Sequence, residues 1–290
     1  MVKTGRSLSS VARGLSAVAA ACAIALSMPA AAQNSAEAGH KAVPDFSGYW
    51  AHNISHYDPP ASGPGPVKNY PGQQHLYQQD MNKGLPGTRL WIGDYRSPIL
   101  QPWAAERVKA RGDGEIARGE SDWQPLQLCK LVGVPHIMLL REPLVFLQQP
   151  EMITLIYQRD QQVRRVFMNQ QHPANLKPTP YGHSVGHYEG DVLVIDTVAM
   201  TADDIIDYFG TPATRALHVV ERYRVVNNGT ALEVQFTVED PGVFTTAWSG
   251  IQRYRRVNPA GGWEEIRCAE NPKDVDGSEY PIPRDDTPDF

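Results

Sequence analysis

From Pro143 almost to the end of the chain, hydrophobic and polar residues alternate with a period of two, the pattern of half-buried β-strands. Nine segments carry it: 144–147, 152–158, 164–168, 182–188, 192–197, 218–226, 231–238, 247–257 and 263–267. Turn-forming clusters separate most of them, among them Asp160-Gln161-Gln162, Glu189-Gly190-Asp191, Asn227-Asn228-Gly229 and Glu239-Asp240-Pro241-Gly242. Connections this short join antiparallel neighbours. Only 199–217 interrupts the meander. There Thr201 is placed to cap a short helix, with Asp203 and Asp204 in its first turn and Gly210 closing it. Eight or nine strands in chain order predict an all-β fold, an antiparallel up-and-down barrel or a strongly curved sheet that removes or protects its edges.

Upstream of Pro143 the pattern dissolves. Residues 33–45 are small and polar, a tether without periodicity, and 51–90 are crowded with Pro, Gly, Asn and Gln, the composition of irregular surface chain. One helix interrupts the irregular arm of 51–142. Pro102 suits its first position, Trp103 to Arg111 suit its body, Lys109 and Arg111 complement its C-terminus, and Gly112 ends it. The expected organisation is a leader at 1–32, the tether, and one β-rich domain over 46–290, its meander at 143–268 followed by a tail at 269–290.

The leader changes the picture of the compartment. Lys3, Arg6 and Arg13 precede an apolar run from Gly14 to Met28, and Pro29-Ala30-Ala31-Ala32 follow it ahead of Gln33. A basic segment, a short apolar run and a small-residue cleavage site in that order make a secretory signal peptide, and predict a periplasmic or secreted protein. The apolar run is too short and alanine-rich for a membrane span, so no membrane insertion is expected. The leader takes three of the 27 basic residues and none of the 32 acidic ones, leaving a net charge of about −8. Such a surface argues against nucleic acid as a partner. After the leader only Cys129 and Cys268 remain, and an oxidising compartment predicts a disulfide between them.

Two resemblances stand on quoted residues. Phe46-Ser47-Gly48-Tyr49-Trp50 resembles the Gly-x-Trp entry of lipocalin-type proteins. That resemblance implies a barrel in which the Trp packs under an arginine from the last long strand, with Arg253 or Arg255 in the partner's place. The stretch from Tyr181 to Thr197, with Leu217 to Tyr223, is similar to a group of exported bacterial β-rich proteins. That likeness implies the fold and the compartment and carries no activity with it.

The candidate chemistry lies on the central strands. His187, Glu189, Asp191, Asp196, His218 and Glu221 are the densest group of histidines and carboxylates. On a half-buried strand such residues ordinarily face water. The strand from His218 to Val226, however, has no cleanly polar face, and barrel strands of that kind place a polar group or two inside, where it orients a guest. The expected catalytic residues are therefore His218 or His187 as base and Glu221 or Glu189 as its orienting group or acid. Tyr188, Asp196, Arg222, Tyr223 and Trp248 are expected to bind a small apolar or aromatic molecule within the barrel. The leading expectation is cofactor-independent proton-transfer chemistry, as in a lyase, hydratase or isomerase. The alternatives are a non-catalytic lipophile carrier and a serine hydrolase.

The hydrolase reading rests on Gly182-His183-Ser184-Val185-Gly186, which matches a nucleophile elbow but lacks the strand–turn–helix context such an elbow needs. The interval from His183 to His187 spans roughly 13 Å on a strand, too far for one metal ion, with His172, His218 and Glu221 as the other available ligands. No metal is expected. No phosphate-binding glycine loop or dinucleotide fingerprint is present, so no nucleotide cofactor is expected. Which face of 182–188 points inward depends on whether the loop at Gly190 has two residues or three.

Overall fold

Nine strands close into a barrel in chain order: β1 (Gly48–Ala51), β2 (Leu144–Gln148), β3 (Met152–Tyr157), β4 (Gln162–Met168), β5 (His183–Glu189), β6 (Val192–Val198), β7 (His218–Val226), β8 (Ala231–Glu239) and β9 (Trp248–Val257). The computed structural model describes residues 43–52, 56–71, 90–118, 125, 129–202, 205–258 and 263. Among them no helix is long and apolar enough to cross a membrane.

Strands can alternate direction all the way round a closed ring only if their number is even. With nine, one neighbouring pair must be parallel, and it is β4 with β5, through Val166↔Ser184, Phe167↔Val185 and Met168↔Gly186. Every other pair is antiparallel, including the closing pair β1–β9. A parallel step needs a crossover of about a dozen residues or more. Residues 169–182, between the end of β4 and the start of β5, supply it. The antiparallel expectation therefore holds at every pair except this one.

The alternation seen in the sequence locates eight of the strands to within two residues at either end. The ninth is β1, four residues long and too short to show a period. Of the segment expected at 263–267, Trp263 lies outside any strand with its ring 5.7 Å from that of Tyr49, and 264–267 fall outside the described residues.

Gly48-Tyr49-Trp50 form β1 itself. The Trp50 ring is fully buried, its Nε1 donates to the Phe46 carbonyl at 2.8 Å, and a guanidinium lies 4.2 Å from its centroid. That guanidinium belongs to Arg256, the residue paired with Trp50 across the β1–β9 seam, rather than to Arg253 or Arg255. Arg253 instead reaches Glu233 and Asp58 at 2.9 and 2.7 Å. Arg256 also donates to the carbonyls of Ser47, just before β1, and of Gly229, in the β7–β8 connection. Gly48 has φ 112°, and a Cβ there would come within 2.5 Å of Arg256 Nη1. The position needs glycine both for its backbone and for the arginine beside it.

The arm is less superficial than its composition suggests. A 3-10 turn at His136–Leu139 is buried throughout, and Gln252 and Tyr254, on the inner face of β9, both donate to the Met138 carbonyl. Tyr57, from the stretch expected to lie on the surface, is buried against Phe236 and donates to the Ile206 carbonyl. Helix α1 (Pro102–Arg118) starts at the expected proline but runs past Gly112. A Cβ at Gly112 would sit 3.1 Å from Ile92, so that glycine serves close packing rather than termination. Among the described residues of 199–217 there is no helix for Thr201 to cap, and Asp203 and Asp204 lie outside them. Asp207 instead captures the backbone N–H of Phe209 and Thr211, a turn completed by Gly210 at φ 73°.

The barrel interior is a filled core. Leu155, Val166, Ile195, Val219, Val234 and Phe236 pack there with essentially no exposed surface. One strong polar group sits among them. Arg164, on β4, forms a fork-to-fork ion pair with Glu221 on β7. Two further donors go to Ser184 Oγ (3.1 Å) and Thr197 Oγ1 (2.7 Å), and the Tyr223 hydroxyl donates to Glu221 Oε1 at 2.6 Å. Burial acts to lower the Arg164 pKa, but the adjacent Glu221 charge and its hydrogen bonds outweigh burial and raise it. Burial, followed by the Glu221 charge, pushes the Tyr223 phenol well up. Arg164 is thus held charged in the core by one carboxylate.

Removing either partner would strand a buried charge, which costs about 3–5 kcal/mol. Arg164→Met and Glu221→Leu should each lower unfolding stability by that amount. The double variant should recover most of the loss, as read from urea midpoints of all four proteins.

Candidate functional site

The two-residue loop Gly190-Asp191 decides which side chains face outward. Glu189 pairs with Val192, and Gly190 at φ 66° supplies the positive φ that tight hairpin turns require. Ser184, Gly186 and Tyr188 therefore point inward, and His183, Val185, His187 and Glu189 point outward. On β7, Val219, Glu221 and Tyr223 are inside, which leaves His218 and Arg222 outside.

That parity separates the expected partners. His218 and Glu221 are three residues apart on one strand and so occupy opposite faces of the barrel wall. Glu221 is committed to Arg164, so it does not orient a histidine. Tyr223 and Trp248 are buried inside, and Tyr188 accepts a bond from Gln148 Nε2 at 3.1 Å. Arg222 and Asp196 are outside, on different ion clusters. The expected substrate-binding set is thus divided between core and surface and lines no common space. Ser184 Oγ is buried between Arg164 Nε and Thr197 Oγ1, on the opposite face of the wall from His218. A nucleophilic serine needs a base within hydrogen-bond reach, and this one is held by an arginine instead.

Two clusters form on the outer wall. The smaller joins His187 Nε2 to Glu189 Oε1 at 3.1 Å and Glu189 Oε2 to Arg222 Nη2 at 2.5 Å. The hydrogen bond from Arg222, then that from His187, holds the Glu189 carboxyl below its usual range. All three side chains are about half exposed, the ordinary condition of a surface ion pair.

The larger cluster crosses four strands, β5 to β8, and the β4–β5 crossover. Strand register sets Asp196 on β6 beside β5 and β7, and sets His218 on β7 opposite Glu239 on β8. The β4–β5 crossover adds His172. Asp196 Oδ1 accepts from His172 Nε2 and from His218 Nε2, each at 3.1 Å. His218 Nδ1 lies 3.3 Å from Glu239 Oε2, and His172 Nδ1 lies 2.9 Å from His183 Nδ1. The His183 ring stacks on Phe167 with centroids 5.1 Å apart and planes 13° from parallel. Burial, then the neighbouring His172 charge, lowers the His183 pKa. The side chains of His172, His218, Asp196 and Glu239 are 23, 32, 40 and 54 % exposed, so the chain is open to a solute.

Hydrogen-bond chemistry constrains this row. A neutral imidazole has one N–H, so His218 serves both carboxylates at once only as the doubly protonated ring. His172 needs only its Nε2 proton to satisfy Asp196, which leaves a lone pair on Nδ1 facing His183. His218 and Asp196 were legible in the sequence as chemistry. Glu239 was visible only as a turn residue, and His172 and His183 only as metal ligands. The fourteen-residue gap between β4 and β5 was the signal that could have brought His172 in.

A second group of titrating side chains is buried under α1. His136 donates through Nδ1 to the Ile205 carbonyl at 3.0 Å, while its Nε2 has no hydrogen-bond partner among the described residues. Burial lowers its pKa to about 4. Asp207 accepts from the Thr211 hydroxyl at 2.7 Å and from two backbone N–H groups, yet burial outweighs these bonds and pushes its carboxyl up to about 6. Neither residue stood out in the sequence, because both lie in segments without periodicity.

No protein-family model matches this chain, and no curated protein matches it either.

The two buried groups respond to acid in opposite senses. As pH falls from 6.5 to about 4, the unfolded chain protonates His136 and the native chain does not, so stability is lost. As pH falls from about 6 to 3.8, native Asp207 takes up its proton before the unfolded chain does, and stability is gained. Each effect is on the order of 3 kcal/mol, and between pH 6 and 4 they offset. Relative to wild type, His136→Phe should gain stability on acidification across that window and Asp207→Asn should lose it. Urea midpoints at pH 6, 5 and 4 check both signs.

Proposed function

We propose that the protein is an exported enzyme that moves protons on a small apolar or aromatic substrate, with His218 as the base and Asp196 as the residue that fixes it. The filled barrel core moves the reading from the inside of the barrel to its outer wall. The observation that carries it is the Asp196 carboxylate receiving two imidazole Nε2 groups at 3.1 Å on an accessible surface. A carboxylate on one nitrogen fixes the tautomer and ring plane, and directs the other nitrogen at the reacting proton. For His218 that other nitrogen faces Glu239, the most exposed member of the row. A substrate carbon acid would displace Glu239, which leaves carrying the Nδ1 proton, and would then give its own proton to His218 Nδ1. The same ring, or Glu239 beside it, would then return a proton at the product position, so the reaction needs no redox partner.

The test is solvent-deuterium exchange. Small aromatic and aliphatic carbonyl compounds are incubated with the protein in D2O, and proton NMR follows loss of the C–H signal next to the carbonyl. General-base catalysis contributes about 10²–10⁴-fold. The wild type should exceed free imidazole by at least the lower figure, His218→Ala should abolish the excess, Asp196→Asn should reduce it, and His187→Ala should leave it intact. Exchange no faster than free imidazole, or equal in His218→Ala, overturns the reading.

The same proposal places the protein in the periplasm or outside the cell, with Cys129 paired to Cys268. Cys268 lies outside the described residues. The support is the leader, together with the rarity of unpaired cysteines in oxidising compartments. The intact mass of the exported protein should correspond to a chain beginning near Gln33, two hydrogens lighter than its reduced form.

A further inference from the structure

The contact between His172 Nδ1 and His183 Nδ1 sets two imidazole nitrogens against each other at the edge of the outer cluster. Two ring nitrogens 2.9 Å apart repel unless a proton or a cation lies between their lone pairs. His172 has its Nε2 against the Asp196 carboxylate, so that nitrogen carries a proton, and in the neutral ring Nδ1 is the bare one. A carboxylate holding the far nitrogen of an imidazole, with the near nitrogen unprotonated, is the outer-shell arrangement that orients metal-ligating histidines and raises their basicity. His218 in turn holds the same Asp196 oxygen from its other side, and the stacked Phe167 fixes the plane of the His183 ring.

We propose that His172 and His183 form a binding site for a divalent transition-metal ion of the copper or nickel class, with Asp196 as its outer-shell support. Ligand chemistry sets the class: imidazole nitrogens with water completing a tetragonal ion suit copper and nickel, and copper stands highest in affinity among the divalent first-row ions. Among the described residues no group of three or more His, Cys, Asp or Glu side chains could hold a metal, so water or a solute completes the coordination. The ion displaces the shared proton, which moves to His183 Nε2 or to solvent, and both rings turn so that their lone pairs converge.

The strand spacing that separated His183 from His187 argued against a metal. The crossover answers that argument by supplying a different partner, His172. The inference does not rest on the acid–base reading, because metal binding is measured without turnover and uses nitrogens that His218 does not supply.

The test is titration of the metal-free, leader-processed protein with Cu2+, followed by calorimetry and electron paramagnetic resonance. The first equivalent should bind at one site and show hyperfine coupling to two imidazole nitrogens. His172→Ala and His183→Ala should each remove that site and its two-nitrogen signal. Asp196→Asn should weaken binding about 10–100-fold, the usual effect of losing an outer-shell partner. His187→Ala, which alters an exposed histidine elsewhere on the wall, should change nothing. Urea unfolding of each variant checks that the barrel is intact. A first equivalent that binds equally well to folded His172→Ala and His183→Ala, or the absence of any stoichiometric site in the wild type, overturns the proposal.

Discussion

An odd number of strands cannot close into a barrel without one parallel step, and most of what distinguishes this molecule follows from that constraint. The step falls between β4 and β5, where only three residue pairs are in register. Its cost in chain is the crossover at 169–182, which must return along the outside of the barrel. The crossover brings His172 against the outward-facing residues at the start of β5 and the end of β6. An even-stranded meander would have joined β4 to β5 by a short turn, and His183 and Asp196 would have faced water without it.

The wall that these strands build has two chemically separate faces. Inside, Arg164 and Glu221 are fully desolvated and bind each other together with Ser184, Thr197 and Tyr223. Outside, across the thickness of one strand, Asp196 and Glu239 bind histidines in partial contact with solvent. A lone buried Glu221 would have been a strong functional candidate, since carboxylates are seldom desolvated without a task. With an arginine forked onto it, the same residue becomes a fixture of the core. The interior polar group thus specifies how the strands meet, and the chemistry open to a solute is left to the outer wall.

The fold was legible wherever period and turn chemistry agreed. Gly190-Asp191 joins His183–Glu189 to Val192–Val198, and Asn227-Asn228-Gly229 lies between His218–Val226 and Ala231–Glu239, so each of these two pairings followed from loop length. What was illegible was tertiary in origin. β1 is a strand because Arg256 and Phe146 flank it, and four residues carry no period of their own. Gly112 read as a helix end, although its small size serves Ile92 across the helix surface. The polar face of β4 could not be assigned, because Arg164 and Arg165 are neighbours in sequence and only Glu221, 57 residues later, draws the first of them inward. For the site, residue types were visible and their partners were not. His218 was expected beside Glu221 and found beside Asp196 and Glu239, because residues three apart on a strand face opposite ways in any register, and the cross-strand neighbours are set by pairing.

How firmly the outer cluster is built depends on its one member outside the ladder. Asp196, His218, His183 and Glu239 are spaced by strand register, so the ladder fixes where their backbone stands. His172 has no such support, so its position depends on how the crossover is fastened. Near its start, Asn169 N donates to the Gly186 carbonyl at 2.7 Å. Near its end, Thr179 N donates to Ala199 O and its own carbonyl accepts from Thr201 N, each at 3.1 Å, so the returning chain lies along the end of β6. Gly182, at φ 64°, then turns the chain into β5 where a Cβ would come within 2.3 Å of the Val198 carbonyl. These anchors bracket His172 on both sides, with the nearer one only three residues away. A histidine placed by anchored backbone and by a carboxylate on its Nε2 is oriented before any solute arrives, and preorganisation of that kind separates a site from a surface hydrogen bond.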